Sequence, residues 1–304
     1  MNKAIKSASE AEAVICPNKS VMKLEPYKQG AAAAGGFENP IKLSSNESPF
    51  GPPPAALKAY HDAGSSLFRY PDGAQTSLRG AIAEVFGLNA DRIVCGNGSE
   101  ELQLLLVRSF LSPGDDVVMS EHSFVMGRIH AIAQGANIIT APEPEGRADA
   151  KSILAKLTPK TRMIMLASPN NPVGDYMRAE DFRFLVKNTP SDVVILYDGA
   201  YADYVTADDY DDGFSYVGWS PNVVVTRTFS KLYGLAGLRI GWLYAHDLVI
   251  DPVQRIRTPF NANVAALAAA EAAIRDREFA GKVAKHNANW LARIKAELAE
   301  IGLG

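Results

Sequence analysis

Six short apolar runs, parted by stretches of helical periodicity, restrict this chain more than any other feature of its sequence. The runs fall at residues 92–95, 116–119, 137–140, 163–167, 193–197 and 222–226. They are continuous rather than alternating, as expected of strands covered on both faces. Helical patterns occupy 75–86, 100–111, 124–134, 148–157 and 179–187. Strands and helices in alternation build βαβ units around a mostly parallel sheet. The expected fold class is therefore α/β, with a three-layer α/β/α large domain over residues 55–258.

A chain of 304 residues fits about two domains. Residues 1–54, rich in Pro, Gly, Ser and Asn, read as an amino-terminal arm that also joins a smaller second domain. The Ala-Gly run at 31–36 reads as a flexible connector. Residues 259–304 hold two long helical patterns, an alanine-rich one at 261–275 and an amphipathic one at 278–301. No strand follows them. A long helix with an apolar face needs a surface to pack on, so the small domain is expected to be truncated after these two helices.

Composition narrows the function class. The formal charge is −3 with both signs interspersed, which leaves no basic footprint for nucleic acid. No stretch reaches the roughly 18 consecutive apolar residues that a membrane span requires. The opening MNKAIKSASEAEA has no apolar core of a secretory signal. Cys16 and Cys95 make no C-x-x-C pair. The five histidines lack metal-ligand spacing, and the acidic run at 208–212 lacks the spaced ligands of a calcium loop, so no metal is expected. These features together describe a soluble, cytoplasmic enzyme.

Chemistry concentrates in the span 226–242, TRTFSKLYGLAGLRIGW. Lys231 follows a strand in a turn flanked by Thr228 and Ser230, and Arg239 comes eight residues later. A lysine held in a partly dry cleft can attack a carbonyl, while hydroxyls beside a guanidinium suit a phosphate. Upstream, SPNNPVG at 168–174 and LYDGAY at 196–201 place Asn171, Asp198 and Tyr201 at or after strand ends. Ligands of open parallel sheets bind beyond those carboxyl ends. VCGNGSEEL at 94–102 turns from strand to helix so that the Ser99 and Glu100 N–H groups would face an anion. Glu101 stands where a dinucleotide fingerprint needs its third glycine, which disfavours a nicotinamide enzyme. Taken singly, these residues have plainer readings. Asp198 suits a helix cap, Asn171 a turn, Phe124 a core aromatic, and Tyr70 and Tyr201 ordinary half-buried tyrosines.

Taken in order, the segments resemble the pyridoxal-phosphate aminotransferases of the aspartate aminotransferase fold. KLSSNESPFGPPP, LFRYPDG and GNGSEELQLLL are most similar to the histidinol-phosphate aminotransferases among them. The resemblance runs from about residue 42 to the end of the chain. It implies pyridoxal 5'-phosphate as cofactor, with Lys231 as its covalent anchor and proton carrier. It implies that Asp198 pairs with the pyridine nitrogen, that Asn171 and Tyr201 donate to the ring oxygen, and that Phe124 stacks on the ring. Ser99, Glu100, Thr228, Ser230 and Arg239 would hold the phosphate. Tyr70 would reach the cofactor of a second subunit, which implies a homodimer. The implied substrates are an amino donor, L-histidinol phosphate or else an aromatic amino acid, and a 2-oxo acid acceptor. A threonine-phosphate decarboxylase shares the same core, and a fragment that binds cofactor without turnover is the other alternative. Gly199 and Val173 depart from the family's usual Glu and Thr. No residue between 280 and 304 matches the family arginine that grips a carboxylate.

Overall fold

The computed structural model describes residues 16–28, 30 and 41–303. The expected connector at 31–36 and the start of the arm lie outside the described residues. The helices are α1 (Pro54–Ala63), α2 (Thr76–Phe86), α3 (Ser99–Phe110), α4 (Val125–Ala133) and α5 (Ala150–Ala155). They continue with α6 (Ala179–Asn188), α7 (Asp247–Ile256), α8 (Val264–Arg275) and α9 (Arg277–Glu300). The strands are β1 (Ile93–Gly96), β2 (Asp116–Ser120), β3 (Asn137–Ala141), β4 (Thr161–Ala167), β5 (Val194–Asp198), β6 (Val223–Thr228) and β7 (Gly241–Ala245).

One sheet of seven strands carries the order β1-β7-β6-β5-β4-β2-β3. β6, β5, β4, β2 and β3 run parallel, whereas β7 is antiparallel to both β6 and β1. Side chains leave the strands with period two, so each strand feeds two cores. Met163, Met165, Val194, Leu196 and Val224 join α3 and α7 on one face. Ile164, Leu166, Ile195, Tyr197 and Val225 join α2, α6 and α8 on the other. The three-layer α/β/α arrangement follows from that double burial.

Six strands and seven helices stand where the sequence predicts them, with shifted ends set by identifiable caps. α8 begins at 264 because the Asn263 side chain accepts from the Ala266 N–H. α9 begins at 277 because Asp276 accepts from the Phe279 N–H. Four elements correct the sequence reading, one of them α1, which the sequence reading did not anticipate. β3 is not covered on both faces: it is the sheet's edge, with Asn137 and Thr140 exposed and only Ala141 buried. β7, all five residues buried, was not anticipated, nor was α7, whose internal Pro252 argues against a helix. No helix among the described residues is long and apolar enough to cross a membrane. Nor do those residues hold a group of His, Cys, Asp or Glu side chains able to bind a metal ion.

Candidate active site

The carboxyl ends of β2, β4, β5 and β6 open on one crevice, as parallel topology requires. Asp198 is the last residue of β5. Its Oδ2 accepts from Gln103 Nε2 at 2.8 Å and its Oδ1 from Thr226 Oγ1 at 3.0 Å. Burial pushes its pKa up, against the pull of those two donors. Phe124 precedes α4 and lines the crevice together with Gln103, Ser123, Ala167 and Asp198. An aromatic ring and a carboxylate thus border the same space.

Lys231 follows β6, and its side chain reaches the amino-terminal arm. Its Nζ donates to the Ser45 carbonyl at 2.9 Å and lies 5.5 Å from the centre of the Tyr201 ring. Burial lowers its pKa, with Glu47 opposing and Arg239 adding to the effect. Tyr201 Oη accepts from Asn46 Nδ2 at 3.0 Å. Burial raises the Tyr201 pKa, and the Asn46 donor tempers the rise.

The anion cradle is built by close backbone approach. Gly98, at φ +83°, caps α3, and a Cβ there would sit 2.7 Å from Arg239 Nη2. Gly241 opens β7 with the Ser99 nitrogen 2.4 Å from where its Cβ would be. β7 pairs Gly241 with Thr228 on one side and with Gly96 on the other. The unanticipated strand is therefore the piece that joins the glycine turn to the Lys231 segment. Arg239 Nη1 donates to Ser230 Oγ at 3.3 Å, and the Ser230 N–H donates to Thr228 Oγ1 at 3.0 Å. Free N–H groups at a helix start, two hydroxyls and a guanidinium make a phosphate-sized anion site. The Glu100 carboxylate itself points elsewhere, 3.8 Å from His130 Nε2.

Phe124 and Asp198 line the crevice; Lys231 lies beside Tyr201, and Ser99, Thr228, Ser230 and Arg239 meet at the cradle. Asn171 is half-buried in the segment that follows β4. Tyr70 stands apart from the crevice within this chain, exposed and stacked on Phe260 at 4.6 Å between ring centres. Sequence reasoning missed Ser45, Asn46 and Gln103, which meet the site through long-range contacts. It missed the use of Glu101 as well, whose carboxylate accepts from the Asn97 N–H and from Asn261 Nδ2, tying down the glycine turn.

An amine with a lowered pKa, a carboxylate, an aromatic wall and an anion cradle suit a phosphorylated aromatic carbonyl compound. The chain belongs to the aminotransferase class I and II family, whose match covers residues 38–303. It is 44% identical over 287 residues to the histidinol-phosphate aminotransferase of Maricaulis maris, covering 94% of this chain and 79% of that protein. The corresponding enzyme of Dinoroseobacter shibae is 45% identical over 289 residues, with 95% and 80% covered. Among solved structures, histidinol-phosphate aminotransferase from Sinorhizobium meliloti in complex with pyridoxal-5'-phosphate superposes with a TM-score of 0.81. That match has 30% identity and covers 85% of this chain and 70% of the other.

Proposed function

We propose that this chain is a cytoplasmic, homodimeric aminotransferase that passes the amino group of L-histidinol phosphate to 2-oxoglutarate. The products are imidazole-acetol phosphate and L-glutamate, as in histidine biosynthesis. What supports this reading best is the sequence of neighbours from Asp198 at the end of β5, through Tyr201 beside Lys231, to the Ser230–Arg239 cradle. Pyridoxal 5'-phosphate, when bound, supplies an electron-poor pyridine ring that takes up the electron pair released at the substrate carbon.

The residues present fit that group. Lys231 Nζ, whose pKa burial lowers, would anchor it covalently and move a proton at the substrate carbon. Asp198 Oδ holds the pyridine nitrogen in its protonated form, and Gln103 and Thr226 keep that carboxylate in place. Asn171 and Tyr201 donate to the ring oxygen, and Phe124 covers one ring face and excludes water. The backbone N–H groups of Ser99 and Glu100, with Thr228, Ser230 and Arg239, bind the phosphate. Tyr70 serves the crevice of the second subunit.

The test is direct. The chain is loaded with pyridoxal phosphate, reduced with borohydride and mapped by peptide mass. The fixed label belongs on Lys231, and Lys231→Ala abolishes it together with turnover. A label on another lysine, or turnover surviving in Lys231→Ala, overturns the reading. L-histidinol phosphate should bleach the bound-cofactor band faster than phenylalanine does. The reverse order transfers the assignment to the aromatic amino acids.

A further inference from the structure

One buried carboxylate plays no part in the roles assigned above. The Glu143 side chain, between β3 and α5, is only 1% exposed, and both its oxygens meet His122. Oε1 accepts from the His122 backbone N–H at 3.1 Å, and Oε2 lies 2.7 Å from His122 Nδ1. The His122 carbonyl in turn accepts from Nδ2 of Asn170, a buried residue whose Oδ1 has no partner. His122 is thus gripped at its N–H, its ring and its carbonyl by residues that follow β3 and β4. Two positions later Phe124 opens α4 and faces the crevice. A bond between Ser120 Oγ and Ser123 Oγ at 2.9 Å closes the same turn.

A carboxylate is costly to bury unless its partners are fixed, and His122 supplies both partners of this one. Glu143 also raises the His122 pKa, which favours the charged pair. Glu121 is the other acidic group acting on that ring. The pair does not border the crevice. What it holds is the one turn between β2 and Phe124, and Asn170 links that turn to the segment carrying Asn171.

We propose that Glu143, His122 and Asn170 form a positioning unit that sets the plane of the Phe124 ring for stacking on the cofactor. The proposal rests on the function given above. A rival in which Glu143–His122 merely steadies the β2–α4 turn predicts lost stability with no bearing on Phe124.

A double-mutant cycle on the full chain separates the two. Its readouts are the dissociation constant of pyridoxal phosphate and the visible circular dichroism per bound cofactor. His122→Ala is expected to weaken binding about three- to tenfold, the scale of one lost hydrogen bond, and to lower the ellipticity. In a Phe124→Ala background the same change should do nothing further, because coupled residues are non-additive. His122→Asn, which keeps a donor near the place of Nδ1, should restore both readouts. Should His122→Ala fail to fold, Glu143→Gln runs the same cycle. Additive losses, or unchanged ellipticity with only a lower unfolding temperature, overturn the proposal. Absence of cofactor binding by the unsubstituted chain overturns the function itself, and this proposal with it.

Discussion

Burial moves Lys231 and Asp198 in opposite directions, each toward its neutral form: Lys231 down and Asp198 up. For Lys231 the consequence is kinetic, since only the neutral amine attacks an aldehyde. The rate of covalent capture of pyridoxal phosphate should rise with pH to a midpoint below the ordinary lysine value of 10.5. A stopped-flow pH profile measures it, and a midpoint at 10.5 or above contradicts the placement of Lys231. For Asp198 the consequence is a stability cost. A folded pKa above 3.8 means that ionisation is harder in the folded chain than in the unfolded one. The penalty is absent below pH 3.8 and complete once the pH exceeds the folded value. Asp198→Asn should therefore stabilise the cofactor-free chain at pH 7 while reducing turnover, the usual trade at an active site. Denaturant midpoints check it, and the gain over the parent should shrink as the pH falls toward 4. At this scale Lys231, Asp198 and Arg239 were legible because each ends or follows a strand within a compact motif. Asn46 and Gln103 were not, because their partners lie 155 and 95 residues away in sequence.

Among the elements, α8 shows why alanine is chosen. Ala266, Ala269, Ala270 and Ala273 are fully buried where the helix packs against α1 and α2. Side chains this small let helix axes approach closely, and the space left for a larger group is correspondingly small. Ala269→Leu should destabilise the chain by about 1–3 kcal/mol through overpacking. A urea titration reads the shift, and an unchanged midpoint contradicts the close packing of α8. The alanine-rich periodicity was visible in the sequence, as were the parallel strands, whose apolar runs lie between helical patterns. β7 was not. Its run GWLYA begins with a glycine and follows the Gly-rich stretch that also serves the cradle, so the local signal reads as loop. Only the pairing with β1 and β6 makes it a strand. β3 failed in the opposite way: its composition suits a strand, but which strand ends the sheet is a property of topology.

At the scale of the whole molecule, order along the chain carried the fold. Glycine turn, aromatic, Asn-Pro, Asp, Lys and Arg follow one another as successive strand ends, and a parallel sheet brings such ends together. Surface was the harder property, since an exposed aromatic looks like a core residue in one dimension. Leu67, Phe68 and Tyr70 sit between α1 and α2 with 67, 78 and 82% of their surface exposed. Exposed apolar side chains close together in one segment suit an interaction surface, and a second copy of the chain is the partner that the proposed function requires. The parent chain should then sediment as a dimer at micromolar concentration, and Phe68→Asp as a monomer, because an unpaired charge in a closed interface is strongly unfavourable. Tyr70→Phe should behave differently: it keeps the dimer but loosens pyridoxal phosphate about ten- to a hundredfold, the cost of one hydrogen bond to a charged group. Sedimentation velocity and cofactor titration on both variants separate contact from chemistry. A parent that sediments as a monomer while binding cofactor at full affinity would mean that each crevice is complete within one chain, and that Tyr70 has no part in it.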